Sequence, residues 1–288
     1  MSNTEASVVI RLVVEREDID RLPKRFRMST SLVPTEAGGE PDLTGFRELQ
    51  ASASGQYSQK ELKSLIRSVG DVPIMLVDLR QESHGFVNGM AVNWLDTHNG
   101  VNKGLTNEEV QTVNARLLNS LLQEESIRFD YVEGKSVFIE HPIEQPVQVL
   151  SEEALAQAEG VQYQRFFVTD HHRPLDAEVD RFIAWVQKLP KGMWLHFHCR
   201  GGVGRASTFF CMYDMMNNAV NVSLHDILNR NNAIGGRDFN RIDPNDTYKY
   251  EAAQERLAFI RHFYTYCVHN AHNQYETSWS QWNEEQGS

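Results

Sequence analysis

One run of ten residues, from His198 to Ser207, constrains this chain more than any other segment. It places a cysteine, Cys199, six positions before an arginine, Arg205, with three glycines between them. A strand-like segment precedes the run at 193–197, and a helix-like segment follows it. Because glycines allow the backbone to curl tightly, the run predicts a compact loop between a strand and a helix.

The residues of this loop point to one kind of chemistry. Successive backbone N–H groups, together with the N-terminus of the next helix, can face one bound anion. The same positive field stabilises a thiolate at Cys199, and the guanidinium of Arg205 can clamp two phosphate oxygens. The run therefore predicts a phosphate-binding loop with its own nucleophile. The alternatives are a buried structural cysteine or a sulfurtransferase loop, and the arginine favours phosphate.

The composition sets limits on the class of protein. The chain has 288 residues, 41% of them hydrophobic, so it can bury a sizeable core as one domain, with or without an insertion. No run of about 18 apolar residues occurs, which predicts no membrane span. Residues 1–7 lack the apolar core of a signal peptide, which favours a cytoplasmic protein or one exported with its leader removed. The cysteines do not form a disulfide framework, and two of them are typical of buried thiols, namely Cys211 and Cys267.

The formal net charge is −11, which argues against general nucleic-acid binding. It also conflicts with a loop that binds phosphate. Because a local field can oppose the net charge, we expect a basic cleft on an acidic body. The sequence leaves the oligomeric state open.

Strand-like and helix-like segments alternate along the chain. This alternation predicts an α/β fold with a mostly parallel central sheet flanked by helices. Residues 30–57 and 81–105 are expected to be mainly loop, and strand-like pieces at about 124–150 predict a small β insertion. Capping boxes that begin at Ser58 and Thr106 each predict the start of a helix. The expected strands are 8–14, 73–79, 161–168 and 193–198, and the expected helices include 175–189, 204–217 and 246–268.

A nucleophilic loop of this kind needs a proton donor for the leaving alcohol, and Asp170 is the best candidate. Asp170 follows a predicted strand and lies 29 residues before Cys199, across one helix. Both residues can therefore reach the same edge of a doubly wound sheet. The spacing alone leaves open that Asp170 only caps the helix at 175–189 or closes a turn.

Further motifs accompany the loop, and they are Pro23–Arg27, Val77–Gly85, Thr169–His171, Trp194–Cys199, Ile234–Gly236 and the pair Trp279 and Trp282. Together they resemble the bacterial tyrosine-phosphatase-like phytases, which are cysteine-dependent phosphatases of myo-inositol hexakisphosphate. The similarity covers most of residues 20–285 and is weakest at 96–150, which resembles a reduced form of the family's small β-barrel insertion. The resemblance implies a single phosphatase domain over 1–288, with a tyrosine- or dual-specificity-phosphatase-like fold.

The resemblance also implies a role for each matching residue. Cys199 would attack phosphorus and form a phosphocysteine, while Arg205 and the loop amides would bind the transferring phosphoryl group. Asp170 would protonate the leaving inositol oxygen and then activate water. His198 would sit beneath the loop and help to hold it. No metal or other cofactor is implied, because the arginine and the amides supply the positive charge.

A second cation in the loop, Arg200, favours a polyanionic small-molecule substrate with several phosphates. The resemblance places further binding residues in the segments of Arg27 and Lys249. His171, beside the candidate acid, is expected to touch substrate or to orient the loop. The expected substrate-binding set is therefore Arg200, Gly201, Gly202, Val203, Gly204, His171, Arg27 and Lys249.

Two positions depart from the family's pattern. Ala206 follows the loop arginine where a serine or threonine is usual, and Asn231 stands where glutamine is frequent. Both departures affect hydrolysis of the phosphocysteine, since the hydroxyl would stabilise the departing thiolate and the glutamine would help to position water. Asp78 and Arg80, at the end of a predicted strand, are expected to brace the loop through ion pairs or to contact substrate.

The leading interpretation is a cysteine-dependent phosphomonoesterase that hydrolyses myo-inositol polyphosphates through a phosphocysteine. The first alternative is a dual-specificity protein phosphatase or a phosphoinositide phosphatase. The second is a pseudophosphatase that binds phosphate but has lost turnover through Ala206. The depth of the pocket and the charge of its rim distinguish the first alternative from the leading interpretation. A burst of product equal to the enzyme concentration, followed by no turnover, would indicate the second alternative.

Overall fold

The computed structural model describes residues 9–34 and 41–286. Strands and helices alternate within these ranges and form an α/β fold, as the sequence predicts. The polar segment 1–7, on which the expectation about a leader depends, lies outside the described residues. None of the described helices is long and apolar enough to cross a membrane.

The described residues contain eleven strands and eight α-helices. The strands are β1 (Arg11–Arg16), β2 (Arg27–Met28), β3 (Ala51–Gly55), β4 (Ile74–Asp78), β5 (His84–Val87), β6 (Met90–Leu95), β7 (Ser126–Ile127), β8 (Ile143–Glu144), β9 (Val149–Leu150), β10 (Gln162–Arg165) and β11 (Trp194–Cys199). The helices are α1 (Gln59–Val69), α2 (Asn107–Leu122), α3 (Glu152–Ala158), α4 (Asp176–Val186), α5 (Gly204–Asn218), α6 (Leu224–Ala233), α7 (Thr247–Asn270) and α8 (Trp279–Gln286). The capping boxes at Ser58 and Thr106 are confirmed at the starts of α1 and α2.

The central sheet has five strands in the order β10-β4-β11-β3-β2. The first three pairings are parallel and only the pairing of β2 with β3 is antiparallel, so the prediction of a mostly parallel sheet is confirmed. The strand that leads into the loop, β11, lies in the middle of the sheet. In the parallel register Cys199 lies opposite Gly55, and His198 lies opposite Asp78. The carboxyl ends of three strands therefore meet at Cys199, where ligand sites of such sheets form.

Alternate residues of the central strands face two different helical layers. In β4, Met75 and Val77 belong to the main core, while Ile74 and Leu76 belong to a second core. The main core lies against α4, α5, α6, α7 and α8, and the second against α1 and α3. The period of two along a strand separates the layers. In β11, the same alternation sends Cys199 to the main core, so its neighbour His198 faces the opposite layer.

The expectation of loop over 30–57 is wrong for residues 51–55, which form the buried strand β3. Its sequence, Ala-Ser-Ala-Ser-Gly, contains no β-branched or aromatic residue to indicate a strand. The small side chains let the loop after β11 pack closely against the strand. A Cβ on Gly202, whose φ is +75°, would lie 2.3 Å from the amide nitrogen of Gly55. Only glycine fits that position.

The expectation of loop over 81–105 is wrong for most of residues 84–95. These residues form the hairpin of β5 and β6, which pairs with β1 and β9 in an antiparallel sheet of order β1-β6-β5-β9. The turn is Asn88-Gly89, with φ values of +48° and +81°. That dipeptide is a strong hairpin signal, because it adopts the left-handed turn that matches the strand twist. Within 124–150 the strands are only the two-residue β7, β8 and β9.

Candidate active site

A cleft of about 610 Å³ opens where β11 ends. It is bordered by the loop after β11, by the segment after β10 and by the start of α7. Eight of the residues expected to act on or bind substrate line it. These are Asp170, His171, Cys199, Arg200, Gly201, Val203, Gly204 and Lys249.

Cys199 is the last residue of β11 and is 3% exposed. Its Sγ accepts a hydrogen bond from the amide of Gly202 at 3.3 Å. The helix α5 begins at Gly204, so the positive end of its dipole faces the same loop. An amide donor and a helix N-terminus both favour an anion bound beside this sulfur.

Arg205 lies in the first turn of α5, and its guanidinium is fixed from behind. It bonds to both oxygens of Glu82, at 2.6 and 2.9 Å, and to the carbonyl of Val168 at 2.9 Å. Its Nε has no hydrogen-bond partner among the described residues. A bidentate carboxylate holds the plane of an arginine fork in one orientation. Arg205 is 1% exposed and is not among the residues that line the cleft.

Asp170 lies 3.2 Å from Arg205 and accepts two hydrogen bonds. Its Oδ1 is within 3.2 Å of an Nη of Arg205 and accepts from the amide of His171 at 2.9 Å. Its Oδ2 accepts from the amide of Asn99 at 2.8 Å. Burial raises the pKa of Asp170, but the charges of Arg205 and His171 and the hydrogen bond from Asn99 together leave the pKa below its usual value. Asp170 is therefore ionised at neutral pH.

His198 faces a buried polar network beneath the loop rather than the cleft. Its Nε2 lies 2.8 Å from Oε1 of Glu152, which also accepts a hydrogen bond from the hydroxyl of Tyr57. The other oxygen of Glu152 lies 2.8 Å from Nε2 of His84. Burial raises the pKa of Glu152, but His198 and His84 lower it well below its usual range. An ionised Glu152 therefore holds the ring of His198 in place.

Asp78 and Arg80 belong to the same supporting layer and do not line the cleft. Asp78 accepts from the hydroxyl of Tyr163 at 2.8 Å and lies 3.1 Å from Arg165. Arg80 lies 3.0 Å from Glu15 and 2.9 Å from Glu82. Since Glu82 also holds Arg205, this ion-pair network supports the catalytic loop from below, as a structural brace does.

One cluster has the residue types of a metal site. Potential ligand atoms of Asp78, His84 and Glu152 lie within 4.8 Å of one another. The Nδ1 of His84 lies 2.8 Å from the carbonyl oxygen of Glu82, and its Nε2 lies between the two carboxylates. Both ring nitrogens thus face acceptors, which suits an imidazolium that pairs with the acids. The cluster is fully explained as an ion-pair network.

Arg27 occupies a different place from the one expected for a substrate ligand. It is 3% exposed and does not line the cleft. Its guanidinium donates to the carbonyl of Gly202 at 2.8 Å and to the hydroxyl of Ser207 at 3.0 Å. Arg27 therefore lies behind the loop and fastens it. Gly202 also lies outside the lining, since it packs against β3.

The cleft is basic although the chain is acidic. Five cationic residues and two carboxylates line it, which gives the local excess of positive charge that the sequence analysis expects. Arg200 forms an ion pair with Glu15, and Lys249 lies 2.6 Å from Asp246 at the rim. The cations are Lys135, Arg200, Arg237, Lys249 and Arg256, and the carboxylates are Asp170 and Asp246.

Sequence reasoning missed Arg256, which lies beside the catalytic loop. It is 5% exposed, lines the cleft and donates to the carbonyl of His171. No carboxylate pairs with it among the described residues, and its Nε has no hydrogen-bond partner. Burial lowers the pKa of Arg256 to about 10, so it remains charged at neutral pH. The available signal was its spacing of seven residues from Lys249, which places both on one face of α7.

Aromatic rings close one side of the cleft. The rings of His98 and Tyr248 stack with centroids 3.9 Å apart, and the ring of His171 meets Tyr248 edge-on at 5.8 Å. His171 has a φ of +67°, the left-handed region, which points to a backbone held by its surroundings. The three rings join the segments after β6 and β10 to the start of α7.

The two departures from the family's pattern lie out of the cleft. Ala206 is fully buried, and Asn231 is fully buried with its Oδ1 unpartnered among the described residues. The hydroxyl of Ser207 does not replace the missing one. It accepts hydrogen bonds from Arg27 and from the amide of Arg237, at 3.0 and 2.8 Å.

Comparison with known proteins identifies the family of this chain. The family model for PTP-like phytases, described as "Inositol hexakisphosphate", matches residues 77–217. The structure of a PTP-like phytase from Bdellovibrio bacteriovorus superposes with a TM-score of 0.77 at 30% identity, and the match covers 98% of this chain and 97% of that one. This chain belongs to the PTP-like phytase family.

Two further relatives of this chain are longer than it. The PTP-like myo-inositol phosphatase from Mitsuokella multacida, solved with myo-inositol-(1,3,4,5)-tetrakisphosphate, matches with a TM-score of 0.88 and 31% identity, over 99% of this chain and 50% of that one. The effector protein hopD2 of Pseudomonas syringae pv. tomato is 28% identical over 276 residues, which are 92% of this chain and 58% of that protein. The chain thus spans about half the length of these relatives.

Proposed function

We propose that this protein hydrolyses phosphomonoesters of myo-inositol polyphosphates, with Cys199 as the nucleophile and a phosphocysteine as the intermediate. The observation that carries the proposal is that Cys199, Asp170 and five cations open on the same cleft. Membership of the PTP-like phytase family supports it. So does the relative from Mitsuokella multacida, whose structure contains an inositol tetrakisphosphate.

In the first step the thiolate of Cys199 attacks phosphorus. The S–P bond forms as the bond from phosphorus to the inositol oxygen breaks, and Asp170 gives its proton to that oxygen. The loop amides and Arg205 stabilise the charge on the transferring phosphoryl group. The unpartnered Nε of Arg205 is a donor for this purpose, since Glu82 already occupies both terminal nitrogens.

In the second step water attacks the phosphocysteine. Asp170, now ionised, takes a proton from the water, the S–P bond breaks, and the thiolate of Cys199 is regenerated. Phosphate leaves, and the sum of the two steps is ester plus water giving alcohol plus phosphate. The same carboxyl thus acts as acid and then as base.

The charge of the cleft favours a substrate with several phosphates over one with a single phosphate. One phosphate bound in the loop leaves Lys135, Arg237, Lys249 and Arg256 for the others. A neighbouring cleft extends the cationic surface past Lys24 and Arg25. An inositol polyphosphate carries its charges around one compact ring, which suits cations on several sides of one site.

A specific observation also supports a second candidate, a phosphate-binding protein that does not turn over. Ala206 supplies no hydroxyl to the departing thiolate, and the hydroxyl of Ser207 is held by Arg27. Such a protein would form the phosphocysteine and stop there. A burst of one product molecule per protein molecule, with no later release of phosphate, would favour this second function.

The test is release of phosphate from inositol hexakisphosphate by the wild-type protein and by Cys199→Ser. The wild type should release phosphate continuously, and acid quenching during turnover should trap one phosphoryl group on the peptide that contains Cys199. The variant should do neither while its thermal unfolding midpoint stays near that of the wild type. Equal release by a well-folded Cys199→Ser variant would rule the proposal out.

A further inference from the structure

Asn99 lies in the segment between β6 and α2, and it touches the candidate acid directly. It is 4% exposed, and its backbone adopts the left-handed region with a φ of +58°. Its side-chain amide donates one hydrogen bond to Oδ2 of Asp170 at 2.8 Å and one to Oε1 of Glu82 at 3.1 Å. Its Oδ1 accepts from the amide of Asn93 at 3.2 Å, which supports the orientation that turns the NH₂ group towards both acids.

These contacts close a ring of four side chains. Glu82 holds both terminal nitrogens of Arg205, Arg205 lies 3.2 Å from Asp170, and Asn99 joins Asp170 back to Glu82. Two carboxylates share one guanidinium, and the amide contributes donors without adding charge. The distance from the candidate acid to the phosphate-binding arginine is thus fixed from both sides.

We propose that Asn99 is a positioning residue, which holds the carboxyl of Asp170 where it can give its proton to the leaving oxygen. This rests on the proposed function, in which Asp170 is the acid. The small antiparallel sheet positions Asn99, because its strand β6 ends at Leu95, a few residues before Asn99. Asp96 tightens the turn by accepting from the amides of His98 and Gly100, at 2.9 and 2.8 Å.

The dependence on the leaving group separates positioning of the acid from general support of the fold. An inositol alkoxide is a poor leaving group and needs the proton, whereas a dinitrophenolate leaves without one. Misplacing a catalytic group by about 1 Å costs roughly 100-fold, and general acid catalysis supplies about 10²–10⁴-fold. Loss of Asn99 should therefore slow phosphocysteine formation from inositol phosphates, and leave formation from 2,4-dinitrophenyl phosphate nearly unchanged.

Two substitutions suit the unusual backbone of this residue. Asn99→Gly removes the amide and adopts the same φ without strain. Asn99→Asp keeps the shape but replaces the donor by a carboxylate that faces Asp170 and Glu82. The matched control is Asn102→Gly, which lies in the same segment with a φ of +71° and bonds to the carbonyl of Gln81 and the hydroxyl of Ser83 instead of to the acid.

The experiment measures single-turnover rates of both substrates for the wild type, both Asn99 variants, Asn102→Gly and Asp170→Asn. We expect each Asn99 variant to lose about 10- to 100-fold with inositol hexakisphosphate and less than about 3-fold with 2,4-dinitrophenyl phosphate. Asn102→Gly should show no difference between the substrates.

Asp170→Asn should lose more rate with inositol hexakisphosphate than with 2,4-dinitrophenyl phosphate. If it does, and the Asn99 variants lose the same rate on both substrates, the role of Asn99 alone is overturned. If Asp170→Asn loses the same rate on both substrates, both the role of Asn99 and the assignment of Asp170 as the acid are overturned. Alkylation of Cys199 by iodoacetate at the wild-type rate shows that the loop is intact. If one Asn99 variant fails this check, the other decides.

Discussion

The guanidinium of Arg205 lies 3.2 Å from the carboxylate of Asp170, so the candidate acid shares the phosphate-binding cation with Glu82. A phosphate dianion that binds Arg205 compensates this cation and adds negative charge beside Asp170. Like charge raises the pKa of a carboxyl group. Binding of substrate therefore favours protonation of the acid at the moment when its proton is needed.

This relationship predicts the direction of the pH dependence. The pH dependence of kcat/KM reports the free enzyme, in which burial raises the pKa of Asp170 but Arg205, His171 and Asn99 together leave it below its usual value. The value of kcat/KM should therefore fall as pH rises above that lowered pKa. Asp170→Asn should remove this limb and lower the rate by about 10²–10⁴-fold. Steady-state assays from pH 3 to 7 measure this pH dependence of kcat/KM. The matched control is Asp71→Asn, at an exposed position. An unchanged limb in Asp170→Asn would contradict the assignment.

The unpaired charge of Arg256 predicts a role in binding the substrate. A buried guanidinium without a carboxylate partner in the described structure gains its counter-ion from a substrate phosphate. Arg256→Gln should raise KM for inositol hexakisphosphate by about 10- to 100-fold, as expected for loss of a hydrogen bond to a charged group of about 1.5–3 kcal/mol. Arg261→Gln, exposed on the same helix, is the control. If both variants have the same KM, Arg256 serves only to hold the backbone of His171.

The absent hydroxyl at Ala206 predicts that hydrolysis of the phosphocysteine limits turnover. Rapid-quench assays with wild-type protein should show a burst of inositol product close to the protein concentration, followed by slow steady release. Ala206→Ser adds one hydroxyl at the usual position of the family and should shrink the burst while raising the steady rate. Ala252→Ser, in the helix α7, is a control for the added hydroxyl. Linear release from the wild type, without a burst, would count against this prediction.

The buried network around His84 predicts a pH-dependent stability. Burial and Arg80 lower the pKa of His84, but Asp78 helps to leave it above its usual value. The stability that protonated His84 adds to the folded state is therefore fully present below a pH of about 6.5. It is lost as the pH rises through the raised pKa of His84. His84→Gln should cost about 3–5 kcal/mol in free energy of unfolding at pH 6 and less at pH 9. Urea denaturation at both values measures the difference, with exposed His272→Gln as control. A cost independent of pH would show that His84 acts only by packing.

The parts of the fold that depend on local pattern could be predicted from the sequence. The run from His198 to Ser207 predicts a strand, a loop and a helix, and these are β11, the catalytic loop and α5. The placement of Asp170 beside Cys199 follows because parallel strands end at one edge. The hairpin of β5 and β6 was also predictable, since Asn88-Gly89 is its turn signal, although the glycines and asparagines of this segment were interpreted as loop.

Other features depend on tertiary packing and leave little signal in a single sequence. Arg27 matches the expected segment, but whether it faces the cleft or the back of the loop depends on how β2 pairs with β3. Arg256 reaches the loop only because the helix α7 packs beside it, far along the chain. The contact of Asn99 with Asp170 needs the small sheet to fold against the central one.

We expect Cys199 to hydrolyse inositol polyphosphates in preference to phosphoproteins. The most direct measurement compares kcat/KM for inositol hexakisphosphate with kcat/KM for a phosphotyrosine peptide, on wild-type protein and on Cys199→Ser, by release of phosphate. We expect a higher value for inositol hexakisphosphate, and loss of both activities in the variant. A higher value for the peptide would instead indicate a protein phosphatase, and hydrolysis that persists in Cys199→Ser would contradict the role of the cysteine.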